Sequence, residues 1–313
     1  MASPNLSEII TTTLRNRSKS LADNVTNHNA LLRRLSENGN ISTVTGRQIV
    51  RELEYASNGT VGFYTGYETL DVSPSDVLTS ATFDYKQMAG NVTISGLEQI
   101  QNSGTEAIIN LLESRIGVLE KTMANTLSTS LYSDGTGSDG KEVGGLQLLV
   151  ADAGTGTVGG INSSTFTFFQ NVQTTATSSA FSTTNIQADM NTIYLSLVRG
   201  SDSPDLIMAD TNSYKSFLGS LQAIQRVTSD RVATSGFTSV QYLNSDVIFD
   251  DACPANKMYF LNTDYLRLEV AANRNFVPGE AKMSVNQDAM VTPMFWSGNL
   301  TCSNRALQGV IHT

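Results

Sequence analysis

The sequence predicts an α+β fold, and three observations carry that expectation. From Thr105 to Tyr132 the apolar residues fall at Ile108, Leu112, Ile116, Leu119, Met123, Leu127 and Leu131, steps of three or four that put them on one helix face. From Thr60 to Glu98 apolar and polar residues alternate as they do along strands. From Gly236 onward the chain breaks into short β-rich runs set apart by turn residues. With 313 residues, 40% of them hydrophobic, the chain is long enough and apolar enough to build a large core.

Taken in order, residues 6–36 read as a helix with a narrow apolar stripe at Leu14, Leu21, Val25, Leu32 and Leu35, ended by Glu37-Asn38-Gly39-Asn40. Residues 41–58 are mixed, with 47–53 open to strand or short helix. The run 60–98 is strand-rich. Phe83 and Tyr85 share one face, Val92 and Ile94 continue the pattern, and Ala89-Gly90-Asn91 reads as a turn between two paired strands. Ser73-Pro74-Ser75-Asp76 is a second turn, and Thr60-Val61-Gly62-Phe63-Tyr64 alternates as well. This region is too polar to bury either face fully. Ser103 and Thr105 are placed to cap the helix that follows, and Asp134-Gly135 to stop it. At 1.5 Å per residue that helix is about 40 Å long, a beam rather than a packing element.

Residues 133–165 are rich in Gly, Ser and Thr, interrupted by the apolar run 145–150, and Phe166-Thr167-Phe168-Phe169 follows. A helix is expected from Thr184 to Arg199 with Ile186, Met190, Ile193, Tyr194 and Leu197 on one side. Next come a strand over 204–209, a cap at Asp210, and a helix from Thr211 to Leu221, a strand-then-helix unit of α/β type. The β-rich remainder offers strands at 240–243, 247–249, 258–261 and 265–270, and a final pair at 290–295 and 298–302.

Charge narrows the function classes. The net charge is −9, which disfavours non-specific nucleic-acid binding, because phosphate contacts need Lys and Arg. Arg15, Arg17 and Lys19, with Arg33 and Arg34, form the nearest approach to a basic run and read first as exposed helix charges. Only 16% of residues are charged, against roughly a quarter in ordinary soluble domains. A surface of neutral polar groups costs little to bury against another chain. No secretory signal opens the sequence and no run approaches the ~18 apolar residues of a membrane span, so synthesis in a cytosol and no membrane association are expected.

No motif specifies catalysis. Gly135 to Gly140 and Gly154 to Gly159 both match G-x-G-x-x-G, but neither sits between a predicted strand and a predicted helix, so both read as loops. Asp134 to Asp139 faintly resembles a calcium loop without its closing glutamate. The two histidines, His28 and His312, lie at opposite ends, and Cys253 and Cys302 fit no metal or CxxC spacing. No carboxylate pair is singled out by spacing. Catalytic residues, metal ligands and cofactors are therefore all expected to be none.

The order of elements resembles the major capsid proteins of tailed double-stranded DNA bacteriophages, the HK97-like fold. Local text supports the likeness: Asp134-Gly-Thr-Gly-Ser-Asp-Gly-Lys-Glu-Val-Gly-Gly-Leu146 after the beam, Pro204-Asp-Leu-Ile-Met-Ala-Asp-Thr-Asn-Ser-Tyr214, Phe260-Leu-Asn-Thr-Asp-Tyr-Leu-Arg-Leu268, and Trp296 to Val310 as a terminal strand. The resemblance implies an N-terminal arm over 1–58, an extended E-loop over 59–98, a peripheral domain with the spine helix over 99–150, an axial domain over 151–260 and return strands over 261–313. It further implies a shell of hexamers and pentamers enclosing double-stranded DNA in the virion without sequence-specific binding, with a portal and decoration proteins as partners. Because the presumed E-loop begins by residue 60, after an initial Met1, a separate scaffolding protein is expected in place of an N-terminal scaffolding segment. The implied intersubunit contacts are Arg15, Arg17, Arg33 and Arg34 in the arm, and Phe63, Tyr64, Tyr67, Phe83, Asp84, Tyr85 and Lys86 in the loop. Some relatives crosslink a loop lysine, and Lys86 occupies a comparable segment. Deleting residues 62–92 is expected to leave a folded, assembly-defective subunit. The alternatives are an encapsulin-like nanocompartment shell, an α/β enzyme with an unrecognised carboxylate site, and a β-rich adhesin or fibre, against which the long helix argues.

Overall fold

The computed structural model describes residues 29–101, 111–221, 240–284 and 286–313. In chain order its elements begin with α1 (Ala30–Glu37), β1 (Ile41–Val44), β2 (Ile49–Glu54), β3 (Leu78–Phe83), β4 (Lys86–Ser95), α2 (Gly96–Gln101) and α3 (Leu111–Ser130). The middle holds α4 (Leu146–Leu149), β5 (Thr157–Val158), β6 (Ile161–Asn162), β7 (Val172–Thr175), α5 (Ile186–Leu197), β8 (Leu206–Ala209) and α6 (Thr211–Ser220). The last part holds β9 (Val240–Tyr242), β10 (Ser245–Phe249), β11 (Lys257–Leu261), β12 (Leu266–Ala271), β13 (Val277–Pro278), β14 (Lys282–Met283), β15 (Ala289–Cys302) and β16 (Gly309–His312). Most of the helix expected over 6–36 lies outside the described residues, as do Ser103 and Thr105.

One six-stranded sheet is organised around β15. Along one edge of β15 runs β4, antiparallel from Ser95 opposite Ala289 to Lys86 opposite Gly298. Along the other lie β12, β13 and β14, also antiparallel, and β1 adds in parallel outside β12. The helix α3 packs on this sheet: Met123 and Leu127 are buried, Ile116 and Leu119 partly so, in one core with Met294 and Trp296.

Two strand expectations are corrected here. The pair proposed at 290–295 and 298–302 is a single strand, because Gly298 continues the ladder. A Cβ there would lie 2.4 Å from the Glu269 carbonyl oxygen, so the glycine permits close strand approach instead of marking a turn. The hairpin proposed within 82–98 does not exist either. Ala89-Gly90-Asn91 lies in mid-strand, the break falls at Asp84-Tyr85, and β3 and β4 pair with different partners. Gly90 serves the helix packing, since a Cβ there would meet Leu119 Cδ1 at 2.4 Å. Alternation reports the period of a strand and not its partner.

The true hairpin is β2 with β3, in register from Ile49 opposite Phe83 to Glu54 opposite Leu78. Its inward face places Ile49, Leu53, Ala81 and Phe83 in the core, while Val50 and Leu78 point outward and are exposed. The second six-stranded sheet runs β7-β16-β11-β8-β10-β9. On one face α5 and α6 enclose a separate core with Ile186, Met190, Ile193, Phe217, Val247 and Phe260. Its other face contributes Met208, Ile248, Tyr259 and Val310 to the first core. A central strand buried on both faces is a continuous apolar run, as Leu206-Ile207-Met208-Ala209 is. Asp210 caps α6 as the sequence indicates, accepting from the Ser213 amide at 3.0 Å and the Asn212 amide at 3.2 Å.

Candidate assembly surface

Between β2 and β3 the chain leaves the body as a long connection. The Tyr55 amide donates to the Val77 carbonyl at 3.0 Å and closes its base. Beyond that point the hydrogen bonds among the described residues are local. Thr60 turns on the Asn58 carboxamide, the Thr65 amide meets the Glu68 carboxylate, and Ser73 turns on Asp71. The Ser73 hydroxyl and amide hold the Asp71 carboxyl below the usual carboxylate range. Thr60 to Tyr64, expected as a strand, forms none here, since no strand among the described residues pairs with it. Val61, Phe63, Tyr64, Tyr67, Leu70 and Val72 are all exposed. The segment also carries Glu68, Asp71 and Asp76, with no Lys or Arg between Arg51 and Lys86. Such a density of exposed aromatic and aliphatic side chains marks a contact surface.

The residues expected to make intersubunit contacts separate into groups. Phe63, Tyr64 and Tyr67 sit on the exposed connection. Phe83 does not. It is 6% exposed, in the subunit's own core, because the inward face of β3 points it there. Tyr85 is likewise partly buried against that core. Asp84 stays at the surface but ties elements of its own chain: its carboxylate accepts from Gln48 at 2.8 Å and its carbonyl from Asn299 at 2.8 Å. Lys86 is not a free edge charge, since its ammonium donates to the Gly140 carbonyl and pins the turn after α3. In α1, Arg33 is exposed and paired with Glu37 at 3.0 Å. Arg34 is buried and pairs with Asp246 at 2.7 Å, fastening α1 to β10, so it is a structural ion pair and not a contact for a neighbour. Arg15 and Arg17 lie outside the described residues.

Two buried polar centres escaped the sequence reading. Arg305 is fully buried and has four acceptors: the carbonyls of Leu149 at 2.6 Å and Phe169 at 3.0 Å, the Asn171 carboxamide at 3.0 Å and the Ser163 hydroxyl at 3.3 Å. Burial pulls its pKa down to about 10. Asp250 accepts from the Tyr132 hydroxyl at 2.9 Å, the Ala252 amide at 3.0 Å and the Leu31 amide at 3.2 Å, joining β10, α3 and α1. Burial raises its carboxyl above the usual range. Nothing in the text around Arg305 distinguishes it from a surface arginine. The Asp250-Asp251 doublet after Val247-Ile248-Phe249 reads as an ordinary strand end.

Burial raises the Cys253 and Cys302 thiols, the latter to about 12, which keeps both protonated and poorly nucleophilic. Among the described residues no three His, Cys, Asp or Glu side chains gather as metal ligands. The glycines from 154 to 159 lead into the β5–β6 hairpin and not into a helix, so the helix terminus a dinucleotide needs is missing from that loop. No helix among the described residues is long and apolar enough to cross a membrane.

No protein-family model and no curated protein sequence matches this chain. Solved structures do. A chain of the cyanophage A-1(L) capsid asymmetric unit superposes with a TM-score of 0.75 at 17% identity, covering 96% of each chain. The capsid of the native GTA particle gives 0.66 at 9% identity over 100% of this chain and 99% of the other. The holo-SrpI encapsulin complex from Synechococcus elongatus PCC 7942 gives 0.63 at 10% identity over 100% and 96%. The chain has the HK97-like capsid fold, an α+β architecture shared by phage capsids and encapsulin.

Proposed function

We propose that this protein is the major capsid subunit of a tailed double-stranded DNA phage, assembling with its own copies into hexamers and pentamers of an icosahedral shell. One observation carries the reading: on this fold, the connection from Tyr55 to Val77 leaves Val61, Phe63, Tyr64, Tyr67, Leu70 and Val72 exposed, uncovered by the other described residues. A neighbouring subunit is the occupant such a surface requires. Burying three aromatic rings at ~150 Å² each, at ~25 cal/mol per Å², is worth about 10 kcal/mol per copy before the entropy of docking is subtracted. Repeated over a closed shell, a fraction of that suffices. In this reading residues 1–58 are the arm, the exposed connection and the strands that follow it belong to the E-loop over 59–98, α3 is the spine helix and the second sheet builds the axial domain. A scaffolding protein and a portal act during assembly, decoration proteins bind outside, and the shell encloses DNA without reading its sequence. The role is structural and not enzymatic.

The test is particle mass, by sedimentation with negative-stain microscopy. Rings, tubes or megadalton shells are the expected result. A monomer near 33.7 kDa that persists on co-expression with a candidate scaffolding protein would sink the proposal. The likeness to an encapsulin over the whole chain supports a second reading, a nanocompartment shell. Specific protein cargo inside purified particles, in place of nucleic acid, would select it.

A further inference from the structure

The segment from Gly154 to Phe169 has no role in the function proposed above, although it contains two of the sequence's most conspicuous runs, the repeated glycines and Phe166-Thr167-Phe168-Phe169. In the fold both press on the β2–β3 hairpin. The β5–β6 hairpin turns through Gly159 and Gly160, with φ of +57° and +80°, the two left-handed residues of a tight two-residue turn. The Gly159 carbonyl accepts from the Thr82 amide of β3 at 2.9 Å. The approach is so close that a Cβ on Gly159 would stand 2.7 Å from the Ala81 Cβ and 3.2 Å from the Phe83 ring. Val158 and Ile161 are buried in the core that holds Ile49, Leu53, Ala81 and Phe83. Where the tip departs, the Tyr55 and Phe168 rings meet at 5.5 Å, beside a cleft of about 190 Å³ between the hairpin and Ile161, Phe166 and Phe168.

The segment is rooted in turn. The Arg305 guanidinium holds the Phe169 carbonyl and the Ser163 hydroxyl, and lies 5.5 Å from the Phe169 ring centre. The Ser163 amide and hydroxyl both return to the Gly156 carbonyl, at 3.0 and 2.9 Å. A continuous path of contacts therefore runs from Arg305 through residues 156–169 to the free edge of β3. On the opposite strand Arg51 pairs with Glu269 and donates to Thr301 at 3.3 Å, a second fixed point on the first sheet.

We infer that residues 154–169 form an intramolecular brace that fixes the pose of the β2–β3 hairpin on its own subunit, so that the exposed tip is aimed before a neighbour arrives. A two-stranded ribbon is marginal by itself, and a tip that swung freely would have to be ordered on docking. The brace moves that entropic cost into the folding of the subunit. The inference takes from the proposed function only the purpose of the tip; the brace itself is a property of the unassembled chain.

Two substitutions test it on the unassembled subunit, read by hydrogen exchange. Gly159→Val drives a branched side chain into Ala81, and Phe168→Ala removes the ring against Tyr55 without touching the turn. Both are expected to speed exchange of the β2 and β3 amides by about tenfold or more while the β8 and β11 amides keep their wild-type rates. If the β2 and β3 amides exchange at wild-type rates in both variants, or if β8 and β11 accelerate in step with them, the brace is refuted. The outcome is independent of whether shells form, so failure of the brace and failure of the capsid reading are told apart.

Discussion

Arg305 and Asp250 are the residues at which this fold does something costly. A buried guanidinium with no carboxylate partner among the described residues persists because backbone carbonyls and one carboxamide satisfy it. Arg305→Leu fills the space but orphans those acceptors, and should lower stability by about 3 kcal/mol, read as a lower urea midpoint at unchanged slope. Asp250 gives a pH signature. Its carboxyl is raised in the fold, so below the ordinary carboxylate range it is neutral in both states and costs nothing. As pH rises the unfolded chain ionises first, and stability falls until the folded value is passed. Asp250→Asn removes that dependence. The melting temperature of the variant should therefore gain on wild type as pH climbs from about 3 to about 7. Parallel curves would show that the carboxylate is fully compensated by Tyr132, Leu31 and Ala252.

At the level of elements, the structure rewrites the deletion that the sequence recommended. Removing residues 62–92 would take out β3 and most of β4, whose Val92 is in the core and whose ladder fills one edge of β15. That variant should unfold. Replacing only residues 60–74 with a short Gly-Ser loop keeps both strands, and should melt within a few degrees of wild type yet form no shells by sedimentation. Intact shells from this loop variant would remove the tip from assembly. Gly90→Val tests the seat of α3: the new side chain must displace Leu119, at a cost of about 1–3 kcal/mol. These corrections also mark what the text made legible. The α3 stripe, the Asp210 cap, α5, β8 and the strands at 240–243, 247–249, 258–261 and 265–270 were readable because each is set by local period or local capping, whereas the final strand was read as two. Strand partners were not, since Gly90 and Gly298 look like turns until a helix and a facing strand explain them. Of the residues expected to make contacts, Phe63, Tyr64 and Tyr67 were placed on the surface by polar surroundings, whereas the burial of Phe83 and Arg34 depended on long-range pairing that no local window contains.

On the scale of the whole molecule, composition and assembly meet in the charge. Each copy of the chain carries −9, and the proposed shell would bring many copies edge to edge. The tip adds to the repulsion, because it holds three carboxylates and no cation. Association on this reading is driven by apolar and neutral polar contact and opposed by like charge. Salt should therefore promote it. The Debye length falls from about 10 Å at 0.1 M to about 3 Å at 1 M, which screens the repulsion between exposed surfaces and leaves apolar burial intact. The lowest subunit concentration at which particles appear, measured by light scattering, should drop as sodium chloride rises over that range. Assembly templated on packaged nucleic acid would behave in the opposite way, since phosphate contacts weaken steeply with salt. A critical concentration that climbs with salt would mean that the shell is held by charge pairs or by DNA, and that the exposed apolar and aromatic side chains of the β2–β3 tip are not what joins one subunit to the next.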